Sequence, residues 1–182
     1  IQIMQSFWSV DTKSQTLMKA TLLRTSSFGT EEQVSVIGKI MFLVLGVAIL
    51  SLSAHFKVPF YPVPMTLQTL VVLLIGMSYG PHLGGATILS YLLLGGLGAP
   101  VFSGGAGFAY LIGPTGGYLA GFFAAATVLG FLAERGMGKN WITSAALAVI
   151  GTVIIYAIGL SWLTSIVGYE KAIQFGLMPF VF

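Results

Sequence analysis

From Val58 to Ala133 the chain contains no Asp, Glu, Lys or Arg, and a second such run extends from Asn140 to Tyr169. A soluble fold needs roughly a quarter of its residues charged to make a polar skin, and runs of this length cannot supply one. Across all 182 residues only 7% are charged and 56% are hydrophobic, with a mean hydropathy of +0.95. The chain is therefore expected to be an integral membrane protein. Its charges are confined to the first 57 residues, to Glu134–Lys139 and to the pair Glu170 and Lys171. The pI near 9.3 thus reflects a few basic residues beside membrane helices, and no nucleic-acid partner is expected.

A helical span needs about 20 apolar residues. Five are read: Ile37–Ala54, a short Met65–Tyr79, a short Leu83–Gly96, Thr115–Ala133 and Trp141–Leu163. A sixth begins near Lys171 and is cut off at Phe182. No sustained alternation of polar and apolar residues supports a β-barrel. The expected fold is all-α, a polytopic bundle of six transmembrane helices with the last truncated, over residues 37–182. Residues 1–36 form a polar N-terminal tail, disordered or not native, without the apolar core of a signal peptide. The start at Ile1 and the stop within an apolar run read as a fragment.

Basic residues set the orientation. With a cytoplasmic N-terminus, six lie inside (Lys13, Lys19, Arg24, Lys39, Arg135 and Lys139) and two outside (Lys57 and Lys171). Three of the six belong to the tail. Three loops then face outward: His55–Pro64, the long Leu97–Pro114, and Thr164–Glu170. Trp141 and Trp162, near opposite ends of the fifth span, fit interfacial anchors, and His82 fits a surface position.

Thirteen glycines fall between Gly76 and Gly117. Gly76, Gly80 and Gly84 are spaced by four, as are Gly113, Gly117 and Gly121, which Ala125 extends. That spacing serves close helix packing and says nothing of a substrate. The segment around Gly95–Gly121 says more. Uncharged irregular backbone at membrane depth must be covered by protein or line a cavity. There the carbonyl and N–H groups, including those of Gly116 and Gly117, can pair with a polar ligand. Phe102, Phe108, Tyr110 and Tyr118 add flat apolar surface; for Tyr110 an interfacial belt is an equal reading. Thr66, Gln68 and Thr69 should face the bundle interior, because an unpaired amide in lipid is costly. Gln68 either bridges helices or contacts a ligand. Tyr91, mid-span, needs a partner for its hydroxyl. The candidate binding set is Thr66, Gln68, Tyr91, Phe102, Tyr110, Gly116, Gly117 and Tyr118.

No catalytic or metal site is expected. Cysteine is absent and two histidines are too few for a histidine-only zinc site. No nucleophile-and-base constellation and no Walker motif are read, so the chain is not expected to be an enzyme or to need a cofactor. No carboxylate lies within a readable span, so uphill transport would draw its energy from a partner.

The motifs VPMTLQTLVVLL, GGLGAPVFSGGAGFAYLIGPTGGYLAGF and the Tyr79–Pro81 turn together resemble the BioY family, over about Ile37–Phe182. Those are biotin-binding S components of energy-coupling factor (ECF) transporters in the bacterial cytoplasmic membrane. The resemblance implies six helices with both termini cytoplasmic, capture of biotin from outside, and a partner module of a transmembrane coupling protein and ABC ATPases. It also implies an Asp and a Lys on the last helix, beyond Phe182, and an Ala-x-x-x-Ala docking pattern. The first span lacks that pattern, offering instead small residues such as Gly46 and Ala48. Lys57 and Lys171 are the outer-face candidates for the ligand carboxylate. An S component for another vitamin and a non-transporting membrane scaffold are the competing readings; ligand competition and pocket substitutions discriminate them.

Overall fold

The computed structural model describes residues 36–58, 63–176 and 178. The expected tail, up to residue 35, and residues 59–62 of the loop expected to face outward lie outside the described residues. The bundle occupies a compact unit that begins at Gly38, two residues into the first helix. Its elements are α1 (Val36–His55), β1 (Lys57–Val58), β2 (Met65–Thr66), α2 (Gln68–Gly96), α3 (Phe108–Leu111), α4 (Gly116–Glu134), α5 (Trp141–Val167) and α6 (Tyr169–Gly176).

The 29 residues of α2 are not one rod, since Gly80 breaks them with φ 76° and ψ 174°. In a continuous helix Gln68 and Tyr91 would stand about 35 Å apart, yet their side chains hydrogen-bond at 2.6 Å. A Cβ built on Gly84 would lie 3.5 Å from the Ile75 carbonyl oxygen. The two halves, 68–79 and 81–96, are therefore antiparallel arms of a hairpin that turns at Gly80–Pro81. They correspond to the expected second and third spans. With α1, α4, α5 and the start of α6 they complete the expected all-helical membrane bundle. Taken whole, α1, α2, α4 and α5 are each long and apolar enough to cross a membrane.

Glycines let these helices touch backbone to backbone. A Cβ at Gly76 would come within 2.9 Å of the Ala126 Cα, and one at Gly121 within 3.0 Å of the Ile155 Cα. The hairpin thus packs on α4, and α4 on α5. On α1 the buried residues Gly46, Val47, Leu50, Ser53 and Ala54 form one face, while Met41, Val44 and Leu52 stay exposed, as lipid-facing residues of a membrane helix do.

The second helix starts later than the sequence suggests. Met65–Thr66 pairs antiparallel with Lys57–Val58, and helix begins only at Gln68. Val63 precedes Pro64, which disfavours helical backbone at that residue, and the short ladder satisfies polar backbone groups that would otherwise be orphaned. The last helix starts two residues before Lys171, after Gly168 turns the chain with φ 84°.

At Gly80 the φ/ψ pair is one that only glycine adopts readily, and a Cβ there would meet the Glu134 carboxylate at 2.7 Å. Gly80→Ala is expected to cost about 1–3 kcal/mol. Gly84→Ala, whose Cβ would find ordinary contact distances, should be much milder. Thermal unfolding of the detergent-solubilised variants checks the contrast.

Candidate ligand-binding site

The arms of the hairpin are short. Twelve and sixteen residues rise about 18 and 24 Å, against a hydrocarbon core of about 30 Å. At the open end of the hairpin lie the β1–β2 ladder and the loop between α2 and α4. Beneath them lies a cavity of about 40 Å³. Its walls are Gln68 and Thr69 at the start of α2, Tyr91 on the returning arm, Tyr118, Leu119 and Phe122 on α4, and Ile155 and Tyr156 on α5. Val63, Pro64, Thr66, Phe102, Ser103, Tyr110 and Thr115 complete the lining from the outer segments.

A polar chain crosses the cavity wall. The Gln68 amide donates to the Tyr91 hydroxyl at 2.6 Å, and that hydroxyl donates to the Val101 carbonyl at 3.0 Å. Thr66 Oγ1 donates to Gln68 Oε1 at 3.3 Å. Gln68 therefore bridges the hairpin arms while also lining the cavity. It is 4% exposed and Tyr91 is fully buried, so each group needs the other.

Aromatic rings make the second component. Phe102 meets Tyr91 edge-on at 5.3 Å and stacks on Tyr110 at 4.9 Å and 15°. Gly95 makes room for this arrangement, since a Cβ there would come within 2.1 Å of the tip of the Phe102 ring. Tyr110 also shares a 2.9 Å hydrogen bond with Ser103 Oγ. On the opposite wall Tyr118 meets Tyr156 edge-on at 5.9 Å, and its hydroxyl donates to the Gly176 carbonyl at 2.9 Å, fastening α6.

Thr66, Gln68, Tyr91, Phe102, Tyr110 and Tyr118 are thus brought around one cavity. Gly116 and Gly117 are not. They line an open groove between α4 and α5, where a Cβ at Gly117 would strike Trp162. The Trp162 indole donates to the Gly113 carbonyl at 2.9 Å, tying the loop to α5. Sequence reasoning passed over Ser103, Phe122, Ile155 and Tyr156. Tyr156 carries the same signal as Tyr91, a phenol within an apolar run, whereas Phe122 and Ile155 look like any other apolar residue of a span.

Gly76-Met77-Ser78-Tyr79-Gly80 spells the hydrolase pattern G-x-S-x-G, which needs a strand-to-helix elbow to act. Here Ser78 is an exposed residue of a helical hairpin. Among the described residues no group of three His, Cys, Asp or Glu side chains could hold a metal ion.

The fold is that of a multi-pass helical membrane protein with a cavity at the open end of the α2 hairpin. The BioY family model matches residues 19–182, and the chain belongs to the BioY family. It is 42% identical to the probable biotin transporter BioY of Pyrococcus horikoshii, over 79% of this chain and 85% of that one. It is 41% identical to the biotin transporter BioY of Thermotoga maritima, over 74% and 79%. The crystal structure of the S-component for biotin from an ECF-type ABC transporter superimposes with a TM-score of 0.70 at 22% identity, over 82% of this chain and 85% of that one. The bundle therefore has that S component's fold.

Removing the Tyr91 hydroxyl takes away the acceptor for Gln68 and the donor to Val101. Tyr91→Phe is expected to cost about 1–3 kcal/mol, because a buried amide is left unpaired. Adding Gln68→Leu should cost little more, as the orphaned amide goes with it. A double-mutant cycle on thermal unfolding reads the coupling.

Proposed function

We propose that this chain captures biotin on the outer face of the membrane, as the substrate-binding subunit of an ECF-type transporter. The observation that carries the reading is the uncharged cavity beneath the outer loops, with aromatic walls and the amide and hydroxyl groups of Gln68, Thr66, Tyr91 and Ser103 converging on it. Biotin presents a compact apolar ring system, a neutral ureido head and a carboxylate tail. Apolar walls with a few placed hydrogen-bonding groups suit the first two. Membership of the BioY family and the names of the relatives support the same ligand.

In its described shape the cavity is far smaller than the roughly 300–1,000 Å³ of small-molecule pockets. Uptake of the ligand therefore requires the roof to move, and the roof is made of loops and a two-residue ladder rather than of spanning helices. No carboxylate lies between the ends of α2, α4 or α5 to relay protons. Energy for release to the cytoplasm comes in this reading from a transmembrane coupling protein and ABC ATPases.

Labelled biotin should bind saturably to the purified, detergent-solubilised chain and be displaced by unlabelled biotin but not by other vitamins. Displacement by another vitamin alone would reassign the ligand, and no saturable binding by folded protein would sink the reading. Tyr118→Ala is expected to weaken biotin about tenfold, the worth of about one buried aromatic contact. Tyr118→Phe keeps the wall and loses only the tie to Gly176, so it should stay closer to the parent.

A further inference from the structure

The polar and aromatic lining matches the chemistry of biotin's rings but not of its carboxylate, because among the described residues the lining contains no cationic side chain. A buried carboxylate without a counter-charge is strongly disfavoured. The rim, near water, is where such a charge is met at least cost. Among the described residues the cations are Lys39, Lys57, Arg135, Lys139 and Lys171. Lys39 sits near the start of α1, and Arg135 and Lys139 sit beyond the end of α4, all at the inner end. Two remain at the outer end. Lys171 is exposed on α6, beside Glu170 in sequence, with no hydrogen bond to a cavity residue.

Lys57 is placed differently. It stands directly opposite Thr66 in the β1–β2 ladder, and paired residues project from the same face. Thr66 lines the cavity. The Lys57 ammonium donates to the carbonyl of Ser103, another lining residue whose hydroxyl is held by Tyr110. One ammonium thus joins the two halves of the roof at the cavity's edge. It has three donors, so two remain after Ser103 takes one.

We propose that Lys57 is the specificity residue that meets the carboxylate of the ligand at the outer rim, a role that rests on the biotin reading. An incoming carboxylate adds a second acceptor to the ammonium without displacing the Ser103 carbonyl. Because Lys57 is exposed, the preference for the anion should be modest and should shrink with salt.

The test compares the affinities of biotin and of neutral biotin methyl ester for the full chain in detergent, at low and high salt. The parent should favour the acid about fivefold at low salt, and the ratio should narrow at high salt. In Lys57→Gln the ratio should fall toward one, while Lys57→Arg and Lys171→Gln should keep it. Because the ratio is internal to each variant, partial destabilisation does not obscure it, and a purely structural role for Lys57 would leave it unchanged. An undiminished ratio in Lys57→Gln, a ratio lost in Lys171→Gln, or equal binding of both ligands by the parent would overturn the inference while leaving biotin capture intact. Binding of neither ligand by folded parent protein would overturn the biotin reading and this inference together.

Discussion

The hydrogen bond from Gln68 to Tyr91 joins residues that are distant in sequence, and much of the site depends on it. It holds the two arms of the α2 hairpin together near their open ends. Through the Tyr91 hydroxyl it also reaches the Val101 carbonyl, and so fixes the chain where it enters the Phe102–Tyr110 stack. In an apolar bundle there is little water to satisfy a stray amide or phenol. The pair is therefore specific in a way that apolar contacts between spans are not.

The hairpin turn at the other end depends on small residues. Gly130 brings α4 against the Gly80–Pro81 backbone so closely that a Cβ would overlap it. Gly76 and Gly121 carry the same close approach along α4 toward α2 and α5. Without a hydrophobic driving force between helices in lipid, such backbone proximity and the dispersion contacts it permits hold a membrane bundle together. The regular spacing of Gly76, Gly80 and Gly84 has a different origin. Gly80 is the bend, and Gly76 and Gly84 face one another across it.

The membrane class, the helical bundle and the two short arms were legible because lipid leaves few alternatives to helix for long uncharged runs. The role of Gln68 and the burial of Tyr91 were legible for the same reason, since polar groups in apolar runs demand partners. The β1–β2 ladder was not, because two-residue strands leave no periodicity to read. Gly116 and Gly117 could not be assigned from local pattern either. Bare backbone that could face a ligand looks identical to bare backbone that faces Trp162, and only the packing of α4 on α5 separates the two. Phe122 and Ile155 were invisible for a related reason, as apolar walls of a cavity and apolar walls of a bundle use the same residues.

The division of labour between interior and rim follows from the charge distribution with which the sequence begins. Desolvating a carboxylate in the bundle would cost several kcal/mol even when paired, whereas a neutral ring system with a few hydrogen-bonding groups enters at much lower cost. An uncharged cavity roofed by loops therefore suits a ligand that is apolar at one end and ionised at the other, with the ionised end left near water. The stack of Phe102 on Tyr110, the short ladder, and the Lys57 contact that ties them all lie outside the long helices. The polar relay from Gln68 through Tyr91 to Val101 joins those segments to the α2 hairpin.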